Sequence, residues 1–273
     1  MAEQPAVAPQ QAPAVPSSDE TLDILSLGRR VLQRRTGHRS ATDDLVAAWA
    51  AARAAPGARR VLDMGCGHGT VTLHLSEVLP RAEFVAVEVN PISADLARRN
   101  VLLNDLGDRV QVVEADLRNL AAGALPPGEQ TFDLIVGTPP FMPLGSGVLS
   151  RDPQRRAARF ELRGGIEDYC LAAARHLAPG GRVSMVMDAA QDPRVRRAFD
   201  AAGLVIESVI TVCPRQGKRP RYRASVGRSA ESAAGSTPGV ENELVIRTAS
   251  GEYTAQMLEL RSFLRLPTLR SSP

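Results

Sequence analysis

Four groups of residues in this chain have the types and spacing to do chemistry. Asp63-Met-Gly65-Cys66-Gly67-His-Gly69 sets a carboxylate ahead of three alternating glycines. A turn of that composition adopts backbone conformations a Cβ would obstruct, and it lets a ligand lie against bare peptide. Glu88 and Asp116 stand at or just beyond the ends of two further apolar runs, FVAVE and VQVVEAD. Thr138-Pro139-Pro140-Phe141 closes another apolar run. Its prolines preset the loop and leave the strand-end carbonyls without a local donor, and the threonine hydroxyl can accept one hydrogen bond. The last group is cationic: Arg151, Arg155, Arg156, Arg159 and Arg163 crowd the stretch between Leu144 and Gly165.

Strands and helices must hold these residues. Val61 and Leu62 end a short buried strand, and the glycine turn opens directly into a helix over Thr70 to Leu79, with Val71, Leu73, Leu75, Val78 and Leu79 at helical spacing. Phe84 to Val89 is apolar enough to be a strand buried on both faces. The pattern continues as helix (Pro91 to Asn104), strand (Arg109 to Val113), strand (Phe132 to Val136) and a long loop (Leu144 to Gly165). Then come helix (Ile166 to Leu177), strand (Arg182 to Met187), helix (Pro193 to Ala202) and strand (Leu204 to Val212). Such alternation predicts a mainly parallel sheet with helices on both faces.

Outside this core of residues 56–213, residues 1–18 are rich in Ala, Pro and Gln and are expected to be disordered. Residues 19–55 form a lead-in with short β-like segments (Ile24 to Leu27, Val31 to Gln33) and a helix starting at Thr42 or Asp43. Its cluster of Arg29, Arg30, Arg34, Arg35, His38 and Arg39 reads equally as a solvated surface or as a phosphate-contacting rim. Residues 214–267 offer a hairpin carrying Arg215, Lys218, Arg219, Arg221 and Arg223, a small-residue insertion at 229–239 expected to be mobile, a returning strand (Glu243 to Arg247) and a short helix. Residues 19–267 are read as one domain.

The bulk numbers exclude little beyond a membrane span. The chain has 273 residues, 44% of them hydrophobic, with a net charge of +3; this suffices for a full α/β core and permits a polyanionic partner without demanding one. No window has the apolar length of a membrane span, and the opening residues lack a basic segment followed by an apolar one, so no secretory signal is expected. Cys66, Cys170 and Cys213 lie far apart without metal-ligand spacing, so no metal and a reduced, cytoplasmic setting are expected. The oligomeric state, monomer or dimer, is not legible.

The spacing DMGCGHG separates this turn from the dinucleotide fingerprint GxGxxG, which would need glycine or alanine at Val71. It resembles motif I of the class I S-adenosylmethionine-dependent methyltransferases. The resemblance implies a Rossmann-like α/β fold with a mostly parallel seven-stranded sheet and a C-terminal antiparallel hairpin. S-adenosyl-L-methionine would be the cofactor, with Glu88 accepting from the ribose hydroxyls and the turn leaving room for the methionine moiety. Asp63, Gly65, Cys66, Gly67, Gly69, Val89, Asp116 and Thr138 complete the expected cofactor set; Asp116 is either the acceptor for the adenine amino group or a helix cap.

Thr138-Pro139-Pro140-Phe141 resembles the Asn/Asp-Pro-Pro-Tyr/Phe loop of methyltransferases that modify exocyclic amino groups. There the amide or acid side chain and the carbonyl after it accept from the target amine, and the aromatic stacks on a planar substrate. Thr138 departs from the Asn or Asp. Together with TGHRSATDDLVAAWA and ELVIRTASGEYT, the motifs are similar to the tRNA1(Val) adenine-37 N6-methyltransferase branch of the small-domain group, over about residues 20 to 265. That branch implies tRNA as partner, with Arg39, Arg155, Arg156 and Arg163 as substrate contacts. A small metabolite or protein side chain is the alternative acceptor, and a non-catalytic nucleic-acid-binding protein the alternative of another class.

Overall fold

A computed structural model describes residues 15–120, 125, 131–233 and 239–267. The chain begins with an antiparallel hairpin, β1 (Glu20–Ser26) and β2 (Arg29–Arg34), which forms a two-stranded sheet of its own. The core follows: α1 (Thr42–Ala54), β3 (Arg60–Met64), α2 (Thr70–Val78), β4 (Glu83–Glu88), α3 (Pro91–Leu103), β5 (Val110–Glu114) and β6 (Phe132–Gly137). Then come α4 (Pro153–Arg159), α5 (Ile166–His176), β7 (Leu177–Asp188), α6 (Asp192–Ala201), β8 (Leu204–Cys213), β9 (Tyr222–Ser229), β10 (Val240–Val245) and α7 (Ala255–Phe263).

Eight strands join in the order β10-β8-β9-β7-β6-β3-β4-β5. β3 to β7 pair in parallel, and only β9 runs against its neighbours β7 and β8. The apolar strands are buried on both faces because each face has its own layer of helices. Val61, Phe84, Ala86, Leu134 and Val136 pack toward α1, α2, α3 and α7. Leu62, Met64, Val85, Val87 and Ile135 pack toward α5 and α6. From β3 the chain winds outward to β4 and β5, then returns to β6 on the other side, so a topological switch point lies between β3 and β6.

The α/β fold expected from the sequence stands, with three differences in detail. The sheet has eight strands where seven were expected. The antiparallel hairpin is β8–β9, whereas the final strand β10 pairs in parallel with β8. The arginine-rich stretch 144–165 contains α4, capped by Asp152, whose carboxylate accepts from Arg155 N at 2.8 Å; Pro153 at the first helical position supports the start. Residues 15–18 of the expected tail are exposed; residues 1–14, and 234–238 of the expected mobile insertion, lie outside the described residues.

Candidate active site

β3, β4 and β6 end side by side, and the turns that leave them enclose one cavity. Gly65, Gly67 and Gly69 all hold positive φ (66°, 58° and 90°), the left-handed region that favours glycine. At Gly65 the reason is also steric, since a Cβ there would meet the Tyr169 hydroxyl from α5. Beside Gly67, by contrast, the Cβ direction is open space. The backbone is tied down on both flanks: Cys66 N donates to Val87 O at 2.9 Å, and Leu73 N to Gly69 O at 2.9 Å.

Glu88 is buried at the end of β4 and fastens two turns at once. One carboxylate oxygen accepts from Gly67 N at 2.8 Å and the other from Asn90 N at 2.7 Å. Each of those oxygens keeps further lone-pair capacity for a ligand hydroxyl. Asp63 is buried at the end of β3 and accepts from the Thr72 hydroxyl at 2.6 Å. Burial pushes its carboxyl up to about 7, against the Thr72 hydrogen bond and with help from Glu88. Burial raises the Glu88 carboxyl as well. The site therefore holds two acids whose charged forms are costly when nothing opposes them. Across the cavity, Asp116 caps a 3₁₀ turn through Arg118 N (3.1 Å) and pairs with the Arg118 guanidinium at 2.6 Å; chiefly through that side-chain bond, the Arg118 partner holds its carboxyl below the ordinary value. The cap and the cavity position are thus the same residue.

Around this floor the cavity is lined by Thr138 and Pro140 from the end of β6, His38 and Asp44 from the lead-in, and Ala157 and Ala158 from α4. Residues 41–208 match the Methyltransferase small domain family. The chain belongs to that family. It is 32% identical over 222 residues to the tRNA1(Val) (adenine(37)-N6)-methyltransferase of Porphyromonas gingivalis (strain W83), covering 79% of this chain and 84% of that protein. To the protein of the same name from Aeromonas hydrophila it is 31% identical, covering 80% and 86%. Among solved structures, a predicted O-methyltransferase from Agrobacterium tumefaciens matches with a TM-score of 0.60 at 21% identity, over 84% of this chain and 100% of that one. A transferase from Pyrococcus horikoshii described as putative in its own structure matches with a TM-score of 0.51 at 16% identity, over 77% and 72%. At such identities the structural likeness bears on the fold alone.

The protein is an S-adenosylmethionine-dependent methyltransferase, and its cavity fits that cofactor. The open space beside Gly67 adjoins the Glu88 carboxylate, which retains acceptor capacity, and Asp63 and Asp116 stand on either side. When bound, the cofactor supplies a sulfonium methyl already activated for attack by a lone pair. The methyltransferase itself contributes binding, orientation and exclusion of water.

Of the residues expected from sequence, Asp63, Gly65, Cys66, Gly67, Glu88, Val89, Asp116, Thr138, Pro140 and Arg163 line the cavity. Gly69 does not; it is the N-cap of α2, and a Cβ added to it would lie 3.7 Å from Ala97. Pro139 is buried and does not line the cavity. Phe141 is half-buried, its ring 5.7 Å from that of Tyr222 and packed against both cores. Arg39 is engaged by Asp23 at 2.9 Å and Thr21 at 2.9 Å, and Arg155 donates to Gly37 O at 3.3 Å; neither they nor Arg156 reach the cavity wall. For Arg39 and Arg155 a local acceptor from the lead-in takes the place of a substrate phosphate.

Three supporting residues escaped the sequence reading. Asn100 is fully buried on α3: it accepts from Leu32 N (2.6 Å) and donates to Leu32 O (3.1 Å) and to His68 O (2.8 Å) in the glycine turn. Asn104, one turn on, exchanges the same pair of bonds with Arg30 at 2.8 Å each. Gln154, buried on α4, donates to Ser93 Oγ at 3.2 Å and accepts from His38 N at 3.2 Å, which fastens α4 over the cavity. Asn100 and Asn104 stand at helical spacing in PISADLARRNVLLN, but their partners on β2 lie 68 and 74 residues away in sequence. Among the described residues no group of His, Cys, Asp or Glu could hold a metal, and no helix is long and apolar enough to cross a membrane.

Proposed function

We propose that this methyltransferase modifies the exocyclic N6 of an adenine in tRNA, with Thr138–Phe141 as the loop that receives the base. The observation that carries the reading is the position of Thr138 and Pro140 on the wall of the cavity that also holds Asp63 and Glu88. An acceptor seated on that loop adjoins the cofactor. The Thr138 hydroxyl and the carbonyl after it accept from the amine hydrogens, which turns the nitrogen lone pair toward the methyl group. The prolines offer no N–H to compete. Phe141, braced by Tyr222, is the ring against which the base stacks once it has left its own stack. The named substrate of the relatives from Porphyromonas gingivalis and Aeromonas hydrophila supports tRNA as the carrier of that adenine.

The test uses purified protein, radiolabelled S-adenosylmethionine and unmodified bacterial tRNA, with nucleoside digestion and mass spectrometry. The expected product is N6-methyladenosine. Cofactor binding without label in any RNA nucleoside overturns the reading in favour of a small-molecule acceptor.

A further inference from the structure

We infer that the loop between β8 and β9, residues 214–221, is the surface that takes the RNA phosphates beside the target base. The inference rests on the RNA substrate proposed above. Pro-Arg-Gln-Gly-Lys-Arg-Pro-Arg carries four cations and no acid, and every residue in it is exposed. Arg215, Lys218 and Arg219 belong to no ion pair among the described residues, whereas several arginines elsewhere are already matched. Arg34 is held by Asp19 and Asp152, Arg39 by Asp23, Arg194 by Glu161 and Glu167, and Arg223 by Asp192. A phosphate meeting Arg215, Lys218 or Arg219 displaces only counterions and water, so the gain is not offset by a broken salt bridge.

Placement follows from strand direction. β9 is antiparallel to both β7 and β8, so β8 runs the same way as β7 and β6, and the turn after Cys213 emerges at the sheet edge where β3, β4 and β6 end. The loop's last residue, Arg221, precedes Tyr222, whose ring touches Phe141 of the acceptor loop. Arg221 also lies over the Tyr222 ring, 5.5 Å from its centre. The loop backbone is braced. Gln216 N donates to Arg247 O at 2.8 Å, Lys218 N to Arg215 O at 3.0 Å and Arg221 N to Val212 O at 2.8 Å, while Gly217 supplies the left-handed turn at φ 74°. Cations on a fixed turn lose less conformational freedom on binding than cations on a free tail.

The experiment measures fluorescence anisotropy of a labelled, unmodified tRNA transcript titrated with the full chain at several potassium chloride concentrations. Each phosphate contact contributes about 0.7 to 0.9 to the slope of log K against log salt, so R215A/K218A/R219A is expected to flatten the slope by about 2 to 3 and to weaken binding about a hundredfold near 0.1 M salt. Cofactor affinity by calorimetry and the melting temperature should match wild type. R81A/R175A/R197A removes the same charge from exposed positions elsewhere and should change the slope by less than about one. Equal loss in both variants would show a net-charge effect and overturn the assignment to the loop. A loop variant with the wild-type slope overturns it too, leaving the RNA reading intact. Wild-type protein that binds cofactor but no RNA overturns both.

Discussion

Thr138 has a hydroxyl where an asparagine would offer an amide, so in the proposed acceptor loop the amine would meet a shorter side-chain oxygen, which carries its own proton, and a main-chain carbonyl. Losing that oxygen removes one neutral hydrogen bond, about 0.5–1.5 kcal/mol. Thr138→Val should therefore lower kcat several-fold, and Thr138→Asn should equal or exceed wild type; an unchanged kcat in the valine variant would remove the hydroxyl from the mechanism. Asp63 makes a different prediction. Its folded carboxyl titrates near 7 and an unfolded one near 3.8. The native state thus holds the extra proton between those values, and stability is full below pH 3.8 and lost as pH rises through 7. Asp63→Asn removes this slope. Its stability relative to wild type should improve from pH 4 to pH 8 by up to about 4 kcal/mol, as read by urea unfolding at the two pH values, while its cofactor binding weakens. A difference independent of pH would refute the burial account.

At the scale of elements, the lead-in hairpin is joined to the methyltransferase core by side chains acting as a strand. Asn100 and Asn104 rise about 6 Å apart along α3, and Arg30 and Leu32 about 6.6 Å apart along β2, so two amides match two backbone pairs without strain. The two should differ in energy because Asn100 is fully buried and Asn104 is not. Asn100→Ala leaves Leu32 N–H, Leu32 C=O and His68 C=O without partners, at about 1–3 kcal/mol each. A loss of about 3 kcal/mol or more is expected in urea unfolding, together with weaker cofactor binding through His68 and its glycine turn. Asn104→Ala should cost about 1 kcal/mol, since its exposed partners can turn to water. Equal costs would contradict the role of burial. Most helices and strands of the core were legible to within a residue or two because their apolar periodicity is local; β7 begins five residues before the expected strand, at Leu177, through a Pro-Gly-Gly passage that reads locally as a turn. α4 was not legible: QRRAAR has little apolar stripe, and what seats it is the buried Gln154 meeting Ser93 and the His38 backbone.

Across the whole molecule, burial acts on histidines as well as acids. His74 is buried within α2 with neither ring nitrogen hydrogen-bonded, and burial lowers its titration to about 4; His68, bonded to the Thr70 hydroxyl at 2.8 Å, is lowered to about 3. An unfolded histidine protonates near 6.5, so the stability each neutral ring confers is complete above that value and is lost as pH falls toward its folded value. His74→Leu should raise stability and reduce the loss between pH 6.5 and pH 4 by up to about 3 kcal/mol, measured by thermal unfolding across that range. An unaltered acid limb would show that His74 does not titrate on unfolding. Nothing in the structure explains why a histidine occupies that core position.

The residue order by itself determined the alternating strands and helices, the glycine turn and the carboxylates at strand ends, because each depends on neighbours within a few positions: a periodicity, a missing Cβ, a residue following an apolar run. It also carried the Thr-Pro-Pro-Phe loop to the same sheet edge, since parallel strands present all their ends together. Only the tertiary structure decided which arginines are free. Arg39 and Arg155 look no different in sequence from Arg215 and Arg219, yet the first two meet acceptors brought in by folding, and the second two project from a turn that contains no acid. Charge is written in the chain, but its availability depends on distance, and distance between remote residues exists only once the chain has folded.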